Sequence, residues 1–555
     1  MSYLKPVGTF FIYLSVILAV ITFLPGLPPD AEFREYSVIP SRKIDPKLGP
    51  KNRLNGVEKL FVGELIGPES FDVYNGQLYT GVHGGYVVRI EEDHFVPIVK
   101  FGEKCDGIWQ ERKCGRPLGM KFDKKGNLYV MDAYYGVFKV NVATGDYKNI
   151  VNISKPIDGK PPLLPNSIDI AENGDLYWTD SSTDFRLYDL VLTFLANPSG
   201  RLIRYDAAKK KNEVLVRNLG FANGLKLSDD ESFLIVAETQ MSRIIRYNLK
   251  GPKAGQHEVF IDGLPGSPDN IKSDGQGGFL VSLVITKDSE HPNLVHSFMP
   301  HPNLRKLIAR LLVLMELPFK LLHDIYPNTY SERLMHAIGS FQGCEGLIDS
   351  RQKSLLFRLD ASGNIIEVLS GDDGSYQRMS EAQIHNGFLW FGSPWLNYLS
   401  RVPLKQAFPD LADSAQQSSR VRYEKQSPDT SGVKTERVKR STDSTTTKPT
   451  AIPTTTPKPT AAPTTTPKPT TAPTTPKPTA APKPSPAPKT DTAGSGSVKS
   501  SEAKKDNAKT VGDDAGKTQS GKNVKVEQGA SVKQTAQKSQ PEKAKRETNR
   551  PRDDL

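Results

Sequence analysis

Between about residues 56 and 408, apolar and polar positions alternate along the chain, and turn residues interrupt the alternation at short intervals. Six stretches share one form, a polar turn, in most of them containing Gly, followed by aromatic or aliphatic residues: YNGQLYTG, KKGNLYVMD, ENGDLYWTD, DDESFLIVAE, GQGGFLVSL and HNGFLWFGS. A short alternating strand precedes each, as in SIDIAENG and GLKLSDDE, and several lead into a further strand and turn, as in GRLIRYDAAKK and SRIIRYNLKGP. Alternation broken by turns predicts antiparallel β-meanders. Recurrence at about fifty residues suits four-stranded blades. The pattern therefore predicts an all-β fold, a six-bladed β-propeller over residues 56–408, closed so that no long sheet edge stays open.

Three segments break the alternation. Residues 7–24, VGTFFIYLSVILAVITFL, carry no charge and are long enough for a transmembrane helix. A cleaved signal peptide would have a shorter apolar core and a small-residue cleavage site, whereas ITFLPGLPP follows here, so the run predicts an uncleaved signal-anchor. Lys5 precedes the run, and Asp30, Glu32 and Glu35 follow it with a single Arg34. That asymmetry predicts a single-pass type II protein: a cytoplasmic N-terminus (1–6), a stem (25–55), and the rest at the cell surface or in the endomembrane lumen. Inside the fifth repeat, residues 286–340 contain LIARLLVLMELPFKLLHDIYP, with Leu and Met at helical spacing. A helix packed on the propeller rim, a lid over the channel and a second membrane contact are all compatible with it.

The third break is compositional. After about Ser414, Trp, Phe, Leu and Ile almost vanish, so the segment cannot bury enough apolar surface to order itself, and a disordered C-terminal tail is expected. A linker (409–443) leads to Thr/Pro repeats (444–490) with PKPT at Lys458, Lys468 and Lys477, the composition of a mucin-like O-glycosylated stalk, and then to a charged tail (491–555). Arg437, Lys439 and Arg440 form a short furin-type pattern just before the stalk. Residues 441–555 hold 20 Lys and Arg against 11 Asp and Glu, which leaves 53 against 51 in the rest of the chain. With no basic excess on the folded part, nucleic acid is excluded as its partner. Lectins, microbial surfaces or matrix, reached through O-glycans, are the partners such a tail suggests. Cys105 and Cys114 bracket CDGIWQERKC and can close a disulfide loop in an oxidising compartment, Cys344 is left over as a buried thiol, and Asn152 in NIS is an N-glycosylation sequon.

The blades can be aligned on their turn residues. Eight positions before Gly174, Glu231 and Gly277 stand Asn166, Asn223 and Asp269; seven before Gly76, in a shorter first blade, stands Glu69. The second and sixth blades give Leu118 and Met379. Inner strands of a propeller begin at one mouth of the axis, so Glu69, Asn166, Asn223 and Asp269 are expected to converge, with Asn270 beside them. Two carboxylates and two amide carbonyls form a hard oxygen shell suited to calcium. Each could instead cap its own turn, but the shared register across four blades favours the metal.

CGRPLGM, MDAYYGVFKV, YWTDSS, FANGLKLS, VAETQMSRIIRY, LPGSPDNI and HNGFLWFGS resemble the strictosidine synthase-like propellers from about residue 30 to 405. The resemblance implies a six-bladed propeller exposed to the lumen or outside, with a calcium-dependent hydrolase ancestry shared with paraoxonases. It also implies metal ligands at Glu69, Asn166, Asn223, Asp269 and Asn270. Where paraoxonase-like hydrolases carry a catalytic His this chain has Leu118, and where the plant synthase carries its Glu it has Ser380, with Glu381 adjacent and facing the other way. Condensation of an amine with an aldehyde is therefore not expected. Arylesterase- or lactonase-type hydrolysis of a small ester or lactone would need a metal and a base, for which His83 and His385 are the candidates. A non-catalytic surface mucin is the alternative.

Overall fold

Each repeat folds as its alternation requires: one side chain in two packs against a neighbouring sheet, and the Gly-containing turns reverse the chain. In the computed structural model, which describes residues 4–288, 293–340 and 353–414, there are six four-stranded sheets, and every pairing between their strands is antiparallel. The innermost strands are Phe71–Tyr74, Pro117–Phe122, Pro165–Ile170, Ala222–Leu227, Gly266–Ser273 and Glu381–His385. Each lies beside the next, and the last returns to the first, so the sheets form a closed ring. This is the six-bladed propeller.

Closure joins the two ends of the folded part. The sixth blade takes its outer strand from the N-terminal side, Glu58–Leu60, which pairs with Leu399–Pro403 in the register Glu58↔Arg401 and Leu60↔Leu399. Arg401 Nε donates to Glu58 Oε2 at 2.6 Å across that seam. Apolar cores sit between consecutive blades, for example Ile235, Val281 and Phe357 between the fourth and fifth. The Cys105–Cys114 disulfide forms in the loop that opens the second blade. Cys344 and the whole Thr/Pro tail lie outside the described residues.

Four inner strands carry a β-bulge at the same level. Two residues face one on the partner strand at Leu118–Gly119, Asn166–Ser167, Asn223–Gly224 and Asp269–Asn270. A bulge breaks the ladder locally and re-aims a side chain. At Gly224 it also brings two backbones together: a Cβ there would lie 2.4 Å from Asn270 Cα and 2.5 Å from Asp269 O.

The apolar run at the N-terminus is a helix, Leu4–Phe23. Phe10, Ile12, Val16 and Val20 on it are exposed. Over the described residues alone, no helix is long and apolar enough to cross a membrane. The fifth-blade insertion folds as helices Leu294–Phe298, Pro302–Ile325 and Thr329–Gly339. Because a Cβ at residue 224 would press on backbone rather than on a flexible side chain, Gly224→Ala should destabilise the full chain by about 1–3 kcal/mol. Urea unfolding reads this as a lower midpoint at unchanged slope, and an unchanged midpoint would contradict the close approach.

Candidate metal centre

Glu69, Asn166, Asn223 and Asp269 line one cavity of about 820 Å³, counted to its open mouth, at the end of the axis where the inner strands begin. All four are about 4% exposed. One oxygen of each, Glu69 Oε2, Asn166 Oδ1, Asn223 Oδ1 and Asp269 Oδ1, is buried without a hydrogen-bond partner. Buried polar atoms are nearly always paired, so four orphaned acceptors in one cavity require an explanation.

The orientation of the two amides is fixed by hydroxyl groups. Asn166 Nδ2 donates to Ser181 Oγ at 3.1 Å, and Ser181 Oγ donates on to Ala222 O of the next blade at 2.7 Å. One blade further round, Asn223 Nδ2 donates to Thr239 Oγ1 at 3.1 Å, and Thr239 Oγ1 donates to Pro268 O at 2.7 Å. With each NH₂ held by a hydroxyl, each carbonyl oxygen turns to the axis. Ser380 continues the stapling, its Oγ donating to Glu69 O at 2.6 Å.

Electrostatics point the same way. Burial pushes both carboxyls above their usual range, Asp269 well above, and the two repel each other. Arg116, Asn270 and Lys272 pull Glu69 back only in part. Among the described residues no group of three or more His, Cys, Asp and Glu could hold a metal. Two carboxylates and two amide oxygens, all acceptors, are instead a set whose chemistry would fit a hard divalent cation.

The remaining expected residues fall differently. Asn270 does not line the cavity; its Nδ2 donates to Glu69 Oε1 at 3.0 Å, so it orients a carboxylate instead of presenting an oxygen. His83 does line the cavity, but its Nδ1 is 2.7 Å from Glu111 Oε1 and its Nε2 is 3.1 Å from Pro394 O. Burial and nearby Arg116 draw the imidazole below the usual histidine range, which favours the neutral ring with a single proton to serve Glu111 and Pro394. Both ring nitrogens thus face oxygens of the protein. His385 is at the far end of the sixth inner strand, beside Trp390 and outside the cavity. Of the two histidines expected as candidate bases, His83 therefore lies at the cavity and His385 does not.

Register along the blades could not find His336, because it belongs to the insertion. It lines the same cavity from helix Thr329–Gly339, and burial holds it below the usual histidine range. Its signal in the sequence was only a His on a helix breaking a blade. Leu118, Leu190, Phe221 and Val284 give the cavity an apolar wall, while Glu111, Arg116, Thr239 and Ser340 add further polar groups to its lining. Glu381 is not in this cavity. It accepts from Phe71 N at 2.6 Å and lines a second cavity with Lys121, Lys226 and Lys272.

Comparison with known proteins gives the chain its family. The strictosidine synthase profile matches residues 166–252, and a strictosidine synthase-like N-terminal profile matches residues 49–90. The adipocyte plasma membrane-associated protein Hemomucin of Drosophila melanogaster is 42% identical over 399 residues, 71% of this chain and 68% of that one. The adipocyte plasma membrane-associated protein of Salmo salar is 33% identical over 362 residues, 64% of this chain and 80% of that one. The chain belongs to the adipocyte plasma membrane-associated protein family. Membrane association is the property that the names of these relatives state. A solved gluconolactonase of Xanthomonas campestris shares 14% identity at TM-score 0.40, over 68% of this chain and 99% of that one, a likeness too slight to carry an argument about chemistry.

The buried carboxylates set a pH test. A carboxyl raised on folding leaves the native state holding a proton that the unfolded chain has released, so stability falls as pH rises from about 4 toward the folded pKa. In chelator, wild type should lose stability over that window. Asp269→Asn should lose less and should melt higher than wild type at pH 7. Parallel pH profiles of melting temperature for the two proteins would contradict the buried pair.

Proposed function

We propose that this chain is a membrane-anchored, lumenal or cell-surface propeller that holds a calcium ion at the floor of its cavity and hydrolyses small ester or lactone substrates there. The observation that carries the reading is the set of four buried, unpaired oxygens supplied by four blades. Glu69, Asn166, Asn223 and Asp269 would hold the ion. Four protein oxygens leave room in calcium's six to eight positions for water and a substrate oxygen, whereas magnesium demands a tighter octahedron. When bound, such an ion polarises a carbonyl. The chain's own contributions are the apolar wall, which would take the acyl or aryl part and exclude water, and His336, which would accept the proton of an attacking water while neutral. Ser380, spent on Glu69 O, and Glu381, turned to the other cavity, give no group for amine–aldehyde condensation.

The anchor belongs to the same proposal. Exposed apolar side chains on the N-terminal helix, Lys5 before its apolar run and the acidic residues after it support a type II topology. Asn152 is exposed in its sequon, and with the Thr/Pro stalk it would carry glycans. A second reading, a non-catalytic surface mucin that meets lectins, microbial surfaces or matrix through those glycans, is favoured by Leu118 and by the engaged nitrogens of His83.

Full-length protein in detergent should hydrolyse aryl esters or lactones, lose that activity in chelator and regain it with calcium. Asn166→Ala should remove both the activity and the calcium-induced rise in melting temperature. His336→Ala should keep the rise but lower kcat by about 10²-fold or more. Protein that gains stability from calcium yet is inert on both substrate classes would favour the mucin reading, and no response to calcium at all would overturn the metal reading.

A further inference from the structure

The long insertion helix Pro302–Ile325 has its polarity reversed. Arg305 and Arg310 are buried, at 0% and 5% exposure, while Leu314, Leu317, Leu321, Leu322 and Ile325 are exposed, Ile325 at 85%. Positions 314, 317, 321 and 325 follow the three- and four-residue spacing of one helix face, so the outward face is a continuous apolar stripe. A helix that belonged to a water-facing rim would carry these residues inward. Exposed Tyr326 and Tyr330 flank the end of the stripe, and tyrosine is a residue enriched where apolar and aqueous phases meet. A contiguous exposed apolar patch marks a surface that something covers.

Arg310 indicates what covers this one. Its Nη1 lies 2.7 Å from Ile21 O and 2.9 Å from both Thr22 O and Leu24 O, and its Nη2 lies 3.1 Å from Leu27 O. Ile21 and Thr22 offer carbonyls left unsatisfied in the last turn of the N-terminal helix, Leu24 and Leu27 follow just past it, and a cation there also meets the negative end of the helix dipole. One guanidinium thus ties the insertion helix to the point where the apolar helix emerges. Ala31 and Phe33, just beyond, pack with Leu312 and Val313 of the insertion in one cluster.

We infer that the insertion helix lies on the outer surface of the bilayer, its Leu314–Ile325 face sunk among the lipid headgroups and upper chains and its register set by Arg310. This rests on the proposed anchor. If the N-terminal helix spans the membrane, its end marks the lipid–water boundary, and the apolar stripe begins one turn from the arginine that caps that end. An in-plane helix with an apolar face and few charges on it is the form that interfacial segments take. The face of the propeller bearing the insertion is then held against the membrane by two attachments, one spanning and one lying flat.

The full chain, with Cys344→Ser and the Cys105–Cys114 disulfide intact, can be reconstituted in phosphatidylcholine vesicles containing headgroup- or chain-labelled nitroxide lipids. Single cysteines at Val16, Ile325 and Ala254, the last on the opposite face in the turn after strand Arg243–Asn248, would carry a bimane probe. Lipid quenching at residues 16 and 325 should exceed that at 254 several-fold, and Leu321→Glu should reduce quenching at 325 while leaving it at 16. Quenching at 16 with none at 325 would overturn the inference and leave the anchor standing. No quenching at either would overturn both. Disulfide cross-linking of copies through residue 325, without lipid quenching, would assign the face to a second copy and equally overturn it.

Discussion

Four oxygens with nothing to bond to sit at the centre of this molecule, and much of its architecture is arranged around them. Leaving one buried polar group unsatisfied costs about 1–3 kcal/mol, so four approach the whole net stability of a typical domain, about 5–15 kcal/mol. Two of the four belong to buried carboxylates that repel each other. A single divalent cation would remove both costs together, since it would supply positive charge and accept lone pairs. Without such an ion, burial drives both carboxyls toward the protonated form.

What holds the two amide oxygens in place is a pair of hydroxyls just past the second strands of the third and fourth blades. Ser181 and Thr239 each accept from an Asn of their own blade and donate to the backbone of the next. Site geometry and ring closure are therefore one network: a blade that moved would turn a ligand, and a ligand that turned would release a blade. The bulges allow this, because they free two residues at the level where the strands start. Roofing comes from elements outside the blade repeat, with Tyr188 and Leu190 from an excursion in the third blade and His336 from the insertion in the fifth.

The sequence made the periodic part of this legible and left the rest obscure. Counting back from the turn residues finds Glu69, Asn166, Asn223 and Asp269, because strands of equal length bring equal offsets to equal height. The same counting could not show that Asn270 turns away from the axis to hold Glu69, since a bulge is a local break in the very alternation being counted. It offered no means of weighing His83, whose partners Glu111 and Pro394 come from other loops. His336 and the outward face of Pro302–Ile325 were invisible for a simpler reason. A helical spacing of Leu states that one face is apolar, but which way that face points is decided by Arg305 and Arg310 finding backbone carbonyls inside.

The claim on which the account turns is that the four oxygens share one ion. Crystals of the protein grown with calcium and measured for anomalous scattering, with a lanthanide as a heavier substitute, test it most directly. The account predicts a single anomalous peak on the propeller axis, within about 2.3–2.6 Å of Glu69, Asn166, Asn223 and Asp269 oxygens when calcium is bound. A map with only ordered water hydrogen-bonded to those oxygens, and no ion at any calcium concentration, would contradict it.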